Sequence, residues 1–319
     1  MASIFERLNF KNIGLGRVQS VDEMTVVPLV GPDRGNIASP ESLNFQSTTQ
    51  YGTMVFENTD PINPAIVPAN IMERKMGGQD HAMAGSGIVK NRSSQSFNNA
   101  CCIEESQGGY LRGKGDEDIL PIALRKTLLN IEKRRKGDYT KLWPDIKRWL
   151  RGVVTSSRAH LRYFYDSEHF KEKLEQFAAE FEPVENQIGA VILFAGVPVG
   201  IEIMPTAEHW EAYWQQLVRG CYGAEMLRLK KLGKLKPSAL ILPEIPEDAD
   251  ADEVEKILTN FSEKIQKDVI PLLDNITPSG SNVIQQTDNL KTVLLSTGSG
   301  GGGDMIQQDA TPIYLSLVL

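Results

Sequence analysis

The chain has 319 residues, of which 41% are hydrophobic and 24% charged, and its formal net charge at pH 7 is −7. This composition is typical of a globular protein with one large or two ordinary domains, and the acidic balance argues against a protein that coats nucleic acid. Apolar runs are shorter than the roughly 18 residues of a membrane span, no signal-peptide pattern is present, and three cysteines are too few for a disulfide framework, so we expect a cytoplasmic protein without a membrane partner.

Short β-strands are predicted in the first third of the chain. The apolar segment 24–30 (MTVVPLV) is followed by a turn, and the segment 51–59 (YGTMVFENT) alternates apolar and polar residues, as a half-buried strand does. The segment 65–72 (AIVPANIM) contains a proline, so we expect an edge or irregular strand there. Two further strands within 88–104 complete a β-rich region.

A helical layer is predicted after this region. Apolar residues at helical spacing predict helices over 119–135, 142–154 and 167–181. The segment 189–204 (GAVILFAGVPVGIEIM) then predicts a β-hairpin with a Gly-Val-Pro turn. The segment 206–233 predicts a long capped helix with one buried face.

The last part of the chain returns to strands after an acidic segment. The helix predicted over 252–274 is rich in Asp and Glu, and strands are predicted over 292–297 and 312–319. The glycine run GSGGGGD (298–304) lies between these strands. It lacks the helix N-terminus and the Lys-Ser/Thr tail of a phosphate-binding loop, so we expect a hairpin connection.

These elements predict an α+β fold. It has a β-rich N-terminal part, a central helical layer, a β-hairpin and C-terminal strands, with an acidic helical insertion. We expect a core domain over 1–232, an insertion over 233–280 and C-terminal strands over 281–319 that return to the core.

The segment 87–113 (GIVKNRSSQSFNNACCIEESQGGYLRG) concentrates hydrogen-bonding side chains where a structural strand would only alternate. Lys90 and Arg92 are two residues apart, so on a strand their side chains share a face and Asn91 points to the other. A guanidinium fork beside an ammonium group suits a diphosphate. The segment therefore predicts an anion-binding clamp.

Glu104 and Glu105 end the next predicted strand on opposite faces. Either carboxylate could bind a ribose diol or an exocyclic amine of the same ligand. A structural alternative is a cross-strand ion pair between Arg92 and Glu104, and both interpretations stay open. Cys102 is either a nucleophile or a buried, inert thiol, and it has no histidine near it in sequence.

The loop 77–87 (GGQDHAMAGSG) contains Asp80 and His81. This pair could act as general acid and base or join a metal site, and the competing interpretation is a solvated loop. One histidine and one aspartate make no metal motif, so the sequence predicts no metal and identifies no cofactor. Helix-surface or cap positions are expected for His160, His169 and His209.

Four segments resemble one protein family. In chain order they are MTVVPLVGPD, KNRSSQSFNNACCIEESQGGYLRG, QIGAVILFAGVPVGIEIM and PTAEHWEAYWQQLVRGCYGAEML. Their order is similar to that of the ADP-ribosylglycohydrolase and rhodanese-phosphatase superfamily associated protein domain of bacteria, archaea and bacteriophages. The second segment resembles the family signature, in which a Gln-Asn-Arg run leads to Cys-Val-Glu and a glycine turn. The resemblance spans about residues 17–232 and the last strand.

The resemblance implies a ligand class rather than a reaction, because the family name records genomic association with ADP-ribose chemistry. We therefore expect a cytoplasmic or phage-encoded protein that binds or processes an ADP-ribose-like or related nucleotide, in NAD metabolism or phage–host conflict. The residues expected to contact this ligand are Asp80, Lys90, Asn91, Arg92, Cys102, Glu104 and Glu105. The sequence does not decide whether the protein is an enzyme.

Two other functions stay open. The segment 233–280 could contact a protein partner or another copy, as in a structural or assembly protein such as a phage virion component. Residues 125–162 carry 12 Lys and Arg against three acids, interleaved with aromatic residues, which is typical of single-strand nucleic-acid binding. At helical spacing, the same aromatic residues would instead form a buried face and the cations a solvated one.

Overall fold

The computed structural model describes residues 3–106, 108–130, 138–235, 243, 245–246, 248–274 and 276–319. They form an α+β fold of antiparallel sheets and a helical layer, which confirms the predicted class. The strands are β1 (Gly14–Leu15), β2 (Gln19–Val21), β3 (Met24–Val30), β4 (Leu43–Ser47), β5 (Met54–Asn58), β6 (Ala65–Val67), β7 (Ile71–Arg74), β8 (His81–Ala82), β9 (Gly87–Val89), β10 (Ser93–Phe97), β11 (Cys101–Cys102), β12 (Asp116–Ile119), β13 (Gln187–Phe194), β14 (Val197–Ile203), β15 (Pro278–Thr287), β16 (Leu290–Thr297), β17 (Gly302–Gln308) and β18 (Thr311–Val318). The helices are α1 (Ile4–Arg7), α2 (Ile122–Thr127), α3 (Trp143–Leu150), α4 (Arg162–Tyr165), α5 (Glu168–Ala179), α6 (Ala207–Gln215), α7 (Ala224–Lys231) and α8 (Ala251–Asp274), and a π-helical segment (Gln216–Gly223) joins α6 to α7.

The largest sheet follows the order β1-β3-β13-β14-β18-β17-β16-β15, with β2 also paired to β3. Because neighbouring residues of a strand point to opposite faces, Val26 and Val27 of β3 lie on different sides, and both are buried. Val27 belongs to an apolar layer shared with α1 and α8. Val26 belongs to the main core, which includes side chains of α2–α7. The sheet is therefore covered on both faces, which explains the near-continuous apolar run of β13.

Three smaller sheets come from the first third of the chain. Their strand orders are β10-β5-β4, β11-β8-β7-β12 and β6-β9. In β5, Met54 and Phe56 are buried whereas Val55 is partly exposed, as the alternating pattern predicts. The segment 65–72 divides after Val67 into β6 and β7, which belong to different sheets. The division falls at Pro68, because proline has no N–H to donate to a continuing ladder.

The helical layer meets the small sheets at β12, the edge strand of its sheet. A Cβ on Gly220, in the π-helical segment, would lie 2.8 Å from Oδ1 of Asp118, so this close approach requires glycine. Arg219 donates from Nη2 to the same oxygen at 2.7 Å. Single π-helical turns are frequent at functional sites. Here the turn fixes the helical layer to β12 through an ion pair.

The segment 233–280 adds to the largest sheet. Side chains of α8 pack in the outer apolar layer through Ile265, Val269 and Leu273. β15 then forms the edge of the sheet by pairing with β16. Between α7 and α8, residues 236–242, 244 and 247 lie outside the described residues, and the division into three units stays a prediction. Within the described ranges, every helix is too short or too polar to cross a lipid bilayer.

Several predicted elements differ from the structure. The helix predicted over 119–135 ends at Thr127, and residues 131–137 lie outside the described part. The turn between β13 and β14 consists of Ala195 and Gly196, both with positive φ, instead of Gly-Val-Pro. The sequence analysis also missed β15 and β17. Both strands are rich in Gly, Ser, Asn and Gln, so their apolar pattern is weak.

Candidate functional site

The Lys90-Asn91-Arg92 run lies between β9 and β10, with Asn91 and Arg92 in the turn, and all three residues are exposed. Lys90 Nζ is 3.3 Å from Oδ2 of Asp288, and Asn91 donates to a backbone carbonyl. Arg92 has a φ of 47°, in the left-handed region. The predicted strand face shared by Lys90 and Arg92 is therefore wrong, because the chain reverses direction here. A role of the run in ligand binding stays a prediction.

Asp80 and Glu104, in contrast, come together below the surface. Arg162 donates from Nη2 and Nε to Asp80 at 2.6 and 3.0 Å. The same Nη2 is 4.0 Å from Oε2 of Glu104. His160 Nδ1 is 3.4 Å from the other oxygen of Glu104. The partners of Glu104 are thus Arg162 and His160, so the predicted ion pair with Arg92 is wrong.

This buried cluster has perturbed protonation equilibria. Burial raises the pKa of Asp80 to about 6, although the hydrogen bond from Arg162 acts in the opposite direction. Burial also raises the pKa of Glu104 and lowers the pKa of His160. The expectation that His160 lies at the surface of a helix is wrong, because His160 is only 7% exposed and its backbone forms an isolated β-bridge with Glu104. The cluster therefore contains two carboxyl groups held by one buried guanidinium.

His81 is also buried rather than in a solvated loop. It begins β8, and its Nε2 accepts a hydrogen bond from the backbone N–H of Gly52 at 3.1 Å. Its Nδ1 lies 2.7 Å from the carbonyl oxygen of Gln79. Burial lowers the pKa of His81 to about 4. Because both ring nitrogens have backbone partners, the solvated-loop interpretation is wrong for His81, and the adjacent Asp80 is equally buried.

Cys102 and Glu105 complete the predicted site residues. The Cys102 thiol is buried and donates to the carbonyl oxygen of Glu104 at 3.1 Å, and burial raises its pKa to about 12. A thiol in this state is a poor nucleophile. Glu105 accepts from Lys147 and from the backbone N–H of Ala159, each at 2.9 Å. The structure therefore groups Asp80, Cys102 and Glu104 in the interior and leaves the Lys90-Asn91-Arg92 run at the surface.

A polar cleft of about 450 Å³ lies between the strand pair β7–β12, helix α5 and the π-helical segment. We call it the β12 cleft. Its volume is within the range of small-molecule sites, roughly 300–1,000 Å³. Its basic lining residues are Arg74, Lys114, Lys171 and Arg219. Its acidic lining residues are Asp116, Glu117, Asp166 and Glu175.

Two guanidinium groups of the β12 cleft are held by one buried carboxylate. Asp118 accepts from Arg74 Nη2 and from Arg219 Nη2, both at 2.7 Å. The Arg74 guanidinium also lies 4.6 Å from the ring centroid of Tyr165. Among the described residues, Nε of Arg74 and Oε1 of Gln216 are buried without a hydrogen-bond partner. The wall of the cleft therefore has fixed cations and unused hydrogen-bonding capacity.

Asp166 connects the β12 cleft to the buried cluster. Its carboxylate is 3.2 Å from Arg74 Nη1 and 3.9 Å from Arg162 Nε. Asp166 lines the cleft, and its side chain is 53% exposed. Arg162 in turn holds Asp80. Glu104 of the signature segment and Asp80, upstream of it, are therefore linked to the cleft through Arg162, Asp166 and Arg74.

A pair of carboxyl groups lies at one wall of the cleft. Glu73 of β7 and Glu117 of β12 are opposite each other in the ladder. Burial, reinforced by the charge of Glu117, raises the pKa of Glu73 to about 8, and burial also raises the pKa of Glu117. With a pKa of about 8, Glu73 keeps its proton at neutral pH.

Sequence reasoning missed the residues of the β12 cleft. One signal was present, because Asp116, Glu117 and Asp118 give an acidic start to a strand that ends in apolar residues. The basic residues Arg162 and Arg219 gave no comparable signal, since a cation at a helical position is normally solvated. Among the described residues, no group of three or more His, Cys, Asp or Glu side chains is placed to hold a metal ion.

The fold and the site define an α+β domain with a polar cleft that presents charges of both signs. The chain belongs to the family of the ARG and Rhodanese-Phosphatase-superfamily-associated Protein domain (ARPP-1), whose family model matches residues 12–269. This confirms the family expected from the sequence, and the matched range includes most of the predicted insertion. The family is associated with ADP-ribose-related proteins. Comparisons with curated proteins and with solved structures gave no significant match.

Proposed function

We propose that the chain binds an ADP-ribose-like nucleotide in the β12 cleft. The observation that carries this proposal is the set of basic side chains around one cavity of about 450 Å³: Arg74, Lys114, Lys171 and Arg219. Guanidinium forks and ammonium groups are the side chains that recognise a diphosphate. The association of the family with ADP-ribose-related proteins supports the same ligand class.

The arginines are suited to binding because they are already fixed. Asp118 holds Arg74 and Arg219 in place, so a ligand would order few additional rotamers on binding. The side chains of Lys114 and Lys171 extend from the mouth of the cleft into solvent. Leu174 and Tyr165 also line the cleft, and both side chains are largely buried.

Isothermal titration calorimetry with ADP-ribose tests this proposal. Wild type should show saturable binding, and Lys171→Glu should weaken it about tenfold or more, because the change removes a cation and adds an anion at the cleft. Lys256→Glu makes the same charge change on the exposed face of α8 and should leave the affinity unchanged. Absence of binding by wild type would remove the proposal.

The same titration separates the cleft from the surface turn. Lys90→Glu makes an equal charge change in the Lys90-Asn91-Arg92 run. If Lys90→Glu abolishes binding and Lys171→Glu does not, the ligand binds at the turn, as the sequence analysis proposed. The opposite result places it in the β12 cleft.

A contact surface for another protein is a second candidate function. The end of α8 and the edge strand β15 expose apolar residues, with Leu272 at 44%, Val283 at 51% and Ile284 at 41% exposure. These residues lie in or beside the segment 233–280, for which the sequence predicts contact with a protein partner or with another copy of the chain. Sedimentation equilibrium of wild type and of Val283→Lys tests this candidate, since a wild-type monomer at every concentration would exclude self-assembly.

Nucleic-acid binding through residues 125–162 stays a prediction, because residues 131–137, with four of the twelve cations, lie outside the described residues. Trp149, Phe164 and Tyr165 are buried, which supports the alternative of a buried aromatic face. Arg125 and Arg162 are also buried in ion pairs. Neither the rings nor these cations are exposed to a nucleic acid strand.

A further inference from the structure

The acidic residues of the β12 cleft constrain what it can bind. Carboxylates lie beside the cations of the cleft, namely those of Asp116, Glu117, Asp166 and Glu175, so a ligand that carries a positive group gains contacts that a diphosphate alone does not make. A dinucleotide with a cationic pyridinium ring on one ribose carries a positive group as well as a diphosphate. Its charges therefore match both sets of side chains.

Glu117 differs from the other acidic residues of the cleft because a second carboxyl group is paired with it. Glu73 lies opposite it in the β7–β12 ladder and is 0% exposed. The Glu117 side chain is 14% exposed, and its Oε2 is 4.0 Å from Lys114 Nζ. Glu117 is therefore the member of the pair that a bound ligand can reach.

We propose that the β12 cleft hydrolyses the N-glycosidic bond of an NAD-type dinucleotide, with Glu117 as the general base that activates water. This inference rests on the proposed nucleotide binding and adds a reaction to it. It is carried by the two signs of charge in the cleft and by the position of Glu117 at its wall. Burial raises the pKa of Glu117, and a general base is most effective when its pKa is near the operating pH.

In this reaction Glu117 accepts a proton from water while the water oxygen forms a bond to the anomeric carbon of the nicotinamide-bearing ribose. The carbon–nitrogen bond breaks, and its electron pair goes to the ring nitrogen. The pyridinium becomes neutral nicotinamide, so the leaving group needs no proton. The other product is ADP-ribose, and Glu117 returns its proton to solvent. Cleft carboxylates such as Glu175 complement the positive charge that develops on the ribose.

Glu73 is a positioning residue in this scheme. Its buried carboxyl lies opposite Glu117 in the β7–β12 ladder and, with a pKa of about 8, keeps its proton near neutrality. The backbone N–H of Gly115 donates to Oε2 of Glu73 at 3.0 Å, which fixes the orientation of Glu73. Glu117 therefore has an uncharged neighbour at neutral pH and is the charged member of the pair in this scheme.

The test is incubation of the whole chain with NAD⁺, with nicotinamide and ADP-ribose measured by chromatography and ADP-ribose binding measured by calorimetry. Wild type should release the two products in equal amounts. Glu117→Gln should lower the rate about 100-fold or more and keep the affinity for ADP-ribose, because it removes the base and conserves the shape. Glu172→Gln, on the exposed face of α5, is the matched control and should retain the wild-type rate.

The outcomes separate this inference from the proposed function. ADP-ribose binding without NAD⁺ hydrolysis by wild type would overturn the inference and leave the proposed function in place. Absence of both would overturn both. Hydrolysis at the wild-type rate by Glu117→Gln would also overturn the inference. Where thermal melting shows that Glu117→Gln does not fold, Glu117→Asp keeps the charge, moves the base by one methylene, and should lower the rate about tenfold or more.

A pH profile tests the role of Glu73. Wild type should lose rate above about pH 8, where Glu73 ionises and its charge repels the carboxylate of Glu117. Glu73→Gln has no ionisable group, so it should retain the rate near neutrality and lose the decline above about pH 8. The same decline in both proteins would refute the positioning role.

Discussion

Replacing Glu73 with glutamine should make the stability of the protein less dependent on pH above neutrality. The pKa of Glu73 is about 8 in the folded state, against an ordinary value of 4.5. The folded protein therefore holds a proton that the unfolded chain releases, and stability falls as pH rises from about 4.5 to about 8. Glutamine has no proton to lose, so the substitution removes this dependence.

The size of the effect follows from the pH interval between the ordinary pKa of a glutamate and the raised pKa of Glu73. Each pKa unit is worth about 1.36 kcal/mol, so the interval from 4.5 to about 8 gives at most about 5 kcal/mol. Other buried groups titrate in the lower part of this pH interval. Asp80, with a raised pKa of about 6, has the same sign, and His81, with a pKa lowered to about 4, has the opposite sign. Between about pH 6.5 and pH 8 the Glu73–Glu117 pair dominates, and 1.5 units give about 2 kcal/mol.

Urea unfolding followed by tryptophan fluorescence at about pH 6.5 and about pH 8.5 measures this difference. Wild type should lose about 2 kcal/mol of unfolding free energy between the two conditions, and Glu73→Gln less than about 0.5 kcal/mol. Glu172→Gln should behave as wild type, because its side chain is exposed on α5. Equal losses in wild type and Glu73→Gln would refute the conclusion that the pair holds a proton at neutral pH.

Arg162→Leu should lower the unfolding free energy by about 3–5 kcal/mol, since it leaves two buried carboxyl groups without their cation. Urea unfolding measures this free energy, and a loss below about 1 kcal/mol would contradict the buried ion pair. Arg92→Ala removes an exposed arginine from the β9–β10 turn and should change stability by less than about 0.5 kcal/mol in the same experiment. Gly303→Ala should destabilise by about 2 kcal/mol or more, because its Cβ would lie 1.8 Å from the carbonyl oxygen of Ser316. Gly298→Ala is the control for Gly303→Ala, since a Cβ at position 298 has no neighbour within 4 Å among the described residues. Equal melting temperatures for the two variants would show that strand packing does not require Gly303.

Strands and helices with one buried face could be predicted from the sequence. In β5 the alternation of Met54, Val55 and Phe56 reflects burial on one side of a small sheet. In α5 the apolar residues Phe170 and Leu174 recur at helical spacing and are buried. Burial on one face places a local period in the sequence, and a local period can be recognised without knowledge of the tertiary structure.

The arginines of the site could not be predicted in this way. Arg162 and Asp80 are 82 positions apart in the chain, and Arg219 and Asp118 are 101 apart. A cation at a helical position is normally solvated, so a local pattern gives no sign of a distant carboxylate. Such pairs become visible only when the topology brings β7, β12 and the helices together.

The sequence predicts a strand for the Lys90-Asn91-Arg92 run because the run follows the apolar residues of β9. Its turn depends on contacts from another part of the chain. Asn58 donates from Nδ2 to the carbonyl oxygen of Lys90 at 3.2 Å, and the backbone N–H of Arg92 donates to the carbonyl oxygen of Asp60 at 3.0 Å. These contacts supply backbone partners that a strand neighbour would otherwise provide. The spacing argument for a shared face fails once the chain turns.

The family signature and the β12 cleft are parts of one electrostatic structure. Glu104 belongs to the signature segment and Asp80 lies upstream of it, and both hold Arg162 at the start of α4. Arg162 and Arg74 both face Asp166, which lines the cleft. The carboxylates of the signature therefore act on the cleft indirectly, by fixing the guanidinium beside the cleft carboxylate. Buried residues with no access to solvent can in this way position a charged residue of the cleft wall.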